Sequence, residues 1–203
     1  MDKKIILFDI DKTLLNPYPI MDDLADKINN KFHKEIDVFE IYNEYVKKLD
    51  SSTDFYPKDF LELVSKKTKI SFTEINSYFY NPKIWESYVY EGTKDFLNKI
   101  KFNFNLGIFS EGFRSFQNKK LKMSKLDIFF KKDLTFISRR KLNNVFLKTI
   151  PKEVIIVDDK KEVIETLKKL RPDLNLIWIN RIDDTILEGI KTIKNLRELE
   201  NLI

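Results

Sequence analysis

Apolar residues follow two different rhythms along this chain, and the changes of rhythm divide it into three stretches. Near the start, Ile5 to Phe8 form an unbroken apolar run that stops at Asp9. A short apolar run bounded by polar residues fits a strand buried on both faces. From about Pro19 to Tyr88 no strand pattern recurs. Apolar positions there return every three or four residues: Leu24, Ile28 and Phe32; Phe39, Tyr42, Val46 and Leu49; Phe60, Leu63 and Val64; Ile75, Tyr78 and Phe79. That spacing predicts helices, with Asp37, Pro57 and Thr73 as start signals. From Glu91 onward the two rhythms alternate. Helices are expected over 93–100, 113–123, 142–149 and 160–170. In the second, Lys119, Lys120 and Lys122 fall on the wet side; in the last, Val163, Ile164, Leu167 and Leu170 point inward. Strands are expected over 104–109, 135–138, 153–157 and 176–179. The tail, 190–203, reads as a short strand and a closing helix.

Alternating strands and helices argue for the α/β class, with a mostly parallel sheet covered on both faces. Residues 1–16 and 89–203 are expected to form that core, and residues 17–88 an all-helical domain inserted after the first strand. In such sheets ligands bind beyond the carboxyl ends of the strands. Asp9, Ser110 and the pair Asp158–Asp159 each close a predicted strand. They should therefore meet in one crevice although they span 150 positions.

The bulk composition removes several chemistries. The chain has 203 residues, room for one domain with an insertion or for two small ones. With no Cys, disulfides, thiolate metal sites and cysteine nucleophiles are excluded. The single His, His33, cannot build a histidine metal site and reads as a surface residue. Seventeen Phe and eight Tyr give ample apolar area for a core. The net charge is +5, but the 37 basic residues are interspersed with 32 acidic ones, which suits solvated helix faces rather than a nucleic-acid surface. No apolar run approaches the roughly 18 residues of a membrane-spanning helix, and Met1 leads directly into the first strand. A cytoplasmic protein without membrane attachment, monomeric or weakly dimeric, is the expectation.

The candidate chemistry starts at the first strand end, K-K-I-I-L-F-D-I-D-K-T-L-L. Asp9 and Asp11, two positions apart, leave the strand on the same side. Carboxylates held that close raise each other's pKa unless a cation sits between them. A hard cation with oxygen ligands, Mg²⁺, is implied. The pattern D-x-D-x-[TV], here Asp9, Asp11 and Thr13, resembles the first motif of the haloacid dehalogenase superfamily of phosphohydrolases. Lys12 stands where that family more commonly has Gly.

The resemblance implies a Rossmann-like three-layer core and a helical cap over it. It makes Asp9 the nucleophile, Asp11 the general acid/base and Thr13 a residue that holds the turn near the substrate. The family's second motif is a strand ending in Ser or Thr, matched by L-G-I-F-S-E-G-F. Ser110 is then a donor to the phosphoryl group, followed by Glu111 and by Gly112, which fits a loop that lets backbone N–H groups approach the phosphate. The third motif is a lysine. Lys131, Lys132, Lys141 and Lys148 all qualify, and Lys141, 18 residues before Asp159 at the start of a predicted helix, stands closest to the family spacing. The fourth motif, V-I-I-V-D-D, makes Asp159 a direct metal ligand and Asp158 an auxiliary one; Asp159 also suits the N-cap of the helix that follows. The implied metal set is Asp9, the carbonyl of Ile10, Asp11, Asp158 and Asp159. The expected activity is a Mg²⁺-dependent phosphatase for a small phosphorylated metabolite or nucleotide, working through an aspartyl phosphate. A phosphomutase and a catalytically silent binding protein on the same scaffold are the alternatives.

Overall fold

The structure, a computed structural model, describes residues 3–32 and 36–203; His33 lies outside the described residues. Strands β1 (Ile5–Phe8), β2 (Asn105–Glu111), β3 (Thr135–Ser138), β4 (Ile155–Asp158), β5 (Asn175–Ile179) and β6 (Lys191–Ile193) form one sheet ordered β3-β2-β1-β4-β5-β6. Every neighbouring pair is parallel. The apolar run at the N-terminus is unbroken because β1 lies in the middle of this sheet. Phe8 sits opposite Ile108 of β2 on one side and Val157 of β4 on the other. Both faces are covered. Ile6 and Phe8 join one core with Phe96 and Leu97 of α6 (Thr93–Ile100), while Leu7 joins a second core with Val163, Ile164 and Leu167 of α9 (Lys161–Leu170). Full burial of each such side chain contributes about 1.5–3 kcal/mol.

Between β1 and α6 the described residues form helices and turns without a strand: α1 (Ile20–Phe32), α2 (Val38–Val46), α3 (Pro57–Thr68), α4 (Phe72–Phe79) and α5 (Pro82–Ser87). Asp37 opens α2 by accepting the Glu40 N–H at 2.9 Å, and Pro57 is the first residue of α3. The start of α4 differs from expectation. Ser71, not Thr73, accepts the Glu74 N–H, because a capping hydroxyl must stand three residues before the N–H it receives. The chain leaves the core and returns to it along one path. The Asn16 N–H donates to the Tyr88 carbonyl at 2.8 Å, and the Tyr90 N–H to Leu14 at 3.2 Å. Among the described residues no helix is long and apolar enough to cross a membrane.

Several expected boundaries move. Strand β2 runs on through Ser110 to Glu111, since Ser110 and Glu111 still pair with Ile137 and Ser138 of β3. The helix after β3, α8 (Asn144–Leu147), is only four residues long, with Asn143 as its N-cap. The tail segment Leu196–Asn201 winds as a 3₁₀ helix, a form favoured in short pieces. Leu170, expected inward on α9, is 46% exposed; it is the helix's last residue, where packing against the core ends.

Gly107 is fixed by packing. In the middle of β2, a Cβ there would lie 2.3 Å from the carbonyl oxygen of Leu134 and 2.6 Å from Leu7 Cδ2. Backbone cannot withdraw as a flexible side chain can. Gly107→Ala is therefore expected to cost about 3 kcal/mol in urea unfolding, the upper end of ordinary overpacking. A loss below about 0.5 kcal/mol would mean that the 3₁₀ turn Lys132–Leu134 gives way freely.

Candidate active site

The site is built where β1 ends. The Asp9 N–H still donates to Val157 at 2.9 Å, so Asp9 leaves the sheet from a fixed ladder position. Beyond it the chain turns tightly. The N–H groups of Leu14 and Leu15 both donate to the carbonyl of Ile10, at 2.9 and 3.2 Å. That carbonyl, expected to bind metal, is thus occupied by the turn itself. Thr13 does not hold the turn through its side chain: it is completely buried and its hydroxyl has no hydrogen-bond partner, which also removes it from substrate contact. Lys12 has φ +61°, the left-handed conformation that explains the family's usual Gly at this position. Arg181, just past β5, holds the loop from outside. Its guanidinium donates to the carbonyls of Lys12 at 3.1 Å and Thr13 at 3.0 Å, and lies 3.9 Å over the Tyr90 ring. The sequence held one signal for it, its place just beyond a strand end.

Lys141 is the centre of the charge arrangement. It lies in the turn between β3 and α8 rather than at a helix start, and it is fully buried. Its Nζ donates to Asp9 Oδ1 at 3.0 Å and to Asp158 Oδ2. Lys131, Lys132 and Lys148, the other candidates, are exposed. Burial acts to lower the Lys141 pKa, but Asp158 and Asp9 outweigh it and hold the ammonium above the usual lysine range. Burial also pushes the Asp9 carboxyl up; Lys141 opposes this, and repulsion from Asp158 and Asp11 adds to it. Asp159 is pushed up to about 7, first by burial and then by Asp9 and Asp158.

Asp158 and Asp159 divide their work differently from expectation. Fully buried Asp158 spends Oδ2 on Lys141 and Oδ1 on the Lys160 N–H at 3.0 Å, so it, not Asp159, serves the start of α9. For Asp159 the fixed element is its backbone carbonyl, which accepts from Trp178 Nε1 at 2.8 Å.

A second group surrounds Asp11. Lys120, on α7 (Arg114–Met123), donates to Asp11 Oδ2 at 2.5 Å and is 5% exposed. The helical pattern had put it on the wet side. It is buried because an acid from another element waits beneath it, the condition under which lysine enters a protein interior. Gln117, one turn earlier, donates from Nε2 to the Glu111 carbonyl at 2.6 Å and reaches Asp11 Oδ2 at 3.5 Å. Its spacing with Phe116, Lys120 and Leu121 on one helix face was the available signal. The Glu111 carboxylate accepts from Lys160 Nζ at 3.3 Å and from the Lys141 N–H at 3.4 Å. Ser110 is buried within β2 beside these groups. The N–H of Gly112 itself donates to the Ser138 carbonyl at 2.9 Å. The residue is still required to be Gly: φ is +128°, and a Cβ would lie 2.8 Å from Gln117 Nε2. Asp11, Glu111, Gly112, Gln117 and Lys120 form one wall of a cavity of about 410 Å³ that is also lined by residues of α1, α2, α4 and α5.

Among the described residues no three Asp, Glu, His or Cys side chains are already gathered as a cation cluster. The donor set nonetheless fits Mg²⁺. All the acids carry hard oxygen donors, and Asp9 and Asp159 are both held high, first by burial and then by the neighbouring carboxylates, so a cation beside them would favour their charged forms. Mg²⁺ usually takes one or two carboxylates and completes its shell with water and phosphate rather than a full protein cage.

The chain resembles several solved structures. A HAD phosphatase of Thermococcus onnurineus shares 21% identity over 98% of this chain and 97% of its own, with a TM-score of 0.63. Bacillus subtilis YfnB, bound to magnesium, shares 16% identity over 100% and 99%, at 0.64. A 2-haloacid dehalogenase of Pseudomonas syringae pv. Tomato DC3000 shares 13% over 99% and 98%, also at 0.64. At these identities the likeness shows the fold. No curated protein matches the sequence. The family match extends over residues 3–171, and the chain belongs to the haloacid dehalogenase-like hydrolases.

Proposed function

We propose that this hydrolase is a Mg²⁺-dependent phosphatase for a small phosphorylated metabolite or nucleotide, with Asp9 as nucleophile. The observation that carries the reading is the buried Lys141 ammonium 3.0 Å from Asp9, with a second carboxylate, Asp11, two residues on at the cavity wall. Asp9 attacks phosphorus, an O–P bond forms, and the bond to the leaving oxygen breaks. Asp11 gives its proton to that oxygen, so the alcohol leaves neutral. It then takes a proton from water as the water attacks the aspartyl phosphate, releasing phosphate and restoring Asp9. Lys141 holds Asp9 in line and balances charge. Mg²⁺, held by Asp9 and Asp159, would neutralise the phosphoryl oxygens.

Asp11 separates this reading from dehalogenation, the activity of one protein of the same fold. A departing halide needs no proton, so that chemistry has no use for an acid beside the nucleophile. Residues 17–88 act as a cap domain over a core of 1–16 and 89–203. The two chain segments that pair at Asn16 and Tyr88 serve as its hinge, and ion pairs from Asp54 to Arg139 and Arg140 hold it against the core. Closure excludes water while Asp9 carries phosphate.

The test is phosphate release from 4-nitrophenyl phosphate. Activity should vanish in EDTA and return with Mg²⁺, and Asp159→Ala should raise the Mg²⁺ requirement or abolish turnover. Full turnover in chelator would overturn the metal assignment.

A further inference from the structure

We infer that Arg181 is a positioning residue for Asp11: it locks Lys12 in the left-handed conformation and so fixes the turn from which Asp11 projects. The inference rests on the phosphatase reading for the role of Asp11, but on backbone geometry for the role of Arg181.

Among the described residues four that are not glycine have positive φ: Lys12, Lys69, Lys125 and Glu153. Lys69, Lys125 and Glu153 are exposed, whereas Lys12 is half-buried and directly follows Asp11. At φ +61° its Cβ crowds the following carbonyl oxygen, a strain that Gly does not have. Strain of this kind persists only where the surroundings over-determine the backbone.

Arg181 supplies that constraint from 169 positions away. Its Nε donates to the Lys12 carbonyl at 3.1 Å and its Nη2 to the Thr13 carbonyl at 3.0 Å, while Nη1 reaches the Lys194 carbonyl at 3.3 Å. Guanidinium donors form a rigid planar fork, so two successive carbonyls must face the same way to meet it. Tyr90, whose ring packs on the same guanidinium, is itself tied to the turn through its N–H to Leu14 at 3.2 Å. The turn's own bonds run from Lys12 N–H to Leu15 at 2.7 Å and from Leu14 and Leu15 to Ile10. They engage the carbonyls at the two ends of the turn; those of Lys12 and Thr13, between them, are taken by Arg181.

Rotation about φ of Lys12 turns the peptide plane that joins it to Asp11. If Lys12 fell back to negative φ, the Asp11 backbone would rotate and draw its carboxylate away from Lys120 Nζ, now 2.5 Å from Oδ2, and from the cavity wall. A lysine at position 12 therefore needs Arg181 where a glycine would not.

The test uses the full chain with Mg²⁺ and two esters, phenyl phosphate and 4-nitrophenyl phosphate. Phenoxide leaves poorly without a proton; 4-nitrophenoxide leaves readily. Arg181→Met should lower kcat/KM for phenyl phosphate at least about tenfold, and for 4-nitrophenyl phosphate at least about threefold less. A damaged fold would lower both alike. Arg181→Lys keeps the charge but cannot span both carbonyls, so it should show the same pattern; it stands in for Arg181→Met should that variant fail to fold. Adding Lys12→Gly to either variant should shrink the phenyl phosphate loss to within about threefold. Equal losses on both esters, equal losses with and without Lys12→Gly, or full activity of Arg181→Lys overturn the positioning role and leave the phosphatase reading in place. If the wild type hydrolyses neither ester, the phosphatase reading fails, and the role of Arg181 is decided by hydrogen exchange of the peptide carrying Leu14 and Leu15. Arg181→Met should speed that exchange at least about tenfold and Lys12→Gly should reverse the change; unaltered exchange overturns the inference.

Discussion

Asp9→Asn is expected to lose at least about three decades in kcat, roughly 4 kcal/mol of transition-state stabilisation, with the fold intact. The side chain keeps its size and can still accept from Lys141 through Oδ1. What disappears is the negative charge that, in the proposed mechanism, attacks phosphorus. The same change relieves repulsion, since Asp9 shares its burial with Asp158 and faces Asp159. The urea midpoint should therefore stay level or rise while turnover collapses. This separation distinguishes a lost nucleophile from a damaged fold. Residual activity within tenfold of wild type would show that another residue attacks.

Lys141→Met should act through stability as well as activity. The ammonium is fully buried and bridges Asp9 and Asp158. Replacing it with an apolar chain of similar length keeps the volume and strips two buried carboxylates of their counter-charge. Removing one partner of a buried ion pair costs about 3–5 kcal/mol, more than the pair contributes relative to an apolar substitute, because the remaining charge has no solvent to retreat to. Urea unfolding at pH 7 measures the loss. Lys141→Met with Asp158→Asn should recover part of it, since the second change removes one of the stranded charges. A loss below about 1 kcal/mol, or no recovery in the double variant, would mean that the two acids are not balanced by this lysine.

The sequence by itself determined the elements whose signal is local. A short unbroken run such as Ile5–Phe8, bounded by polar residues, fits a strand covered on both sides, and β1 is flanked by β2 and β4 with helices on both faces. The helical spacing between Leu24 and Phe79 reflects which side of each helix is apolar, a property of neighbours within a turn. Carboxylates placed directly after apolar runs were legible for the same reason: the run fixes where the strand stops, and parallel strands carry their ends to one edge.

Tertiary structure alone decided which polar atoms remain available there. Lys120 meets Asp11 across 109 positions and Lys141 meets Asp9 across 132. No periodicity reports a partner that far away, so Lys120 looked like one more solvated lysine and Lys141 like one of four. The Ile10 carbonyl and the Gly112 N–H look free in sequence, yet the turn to Leu14 and the approach of Ser138 consume them. Leu170 shows the same limit at a helix end, where the apolar pattern continues but the burial does not. Whether a group is buried, paired or free depends on what another element brings to it, and that is settled only when the chain closes on itself.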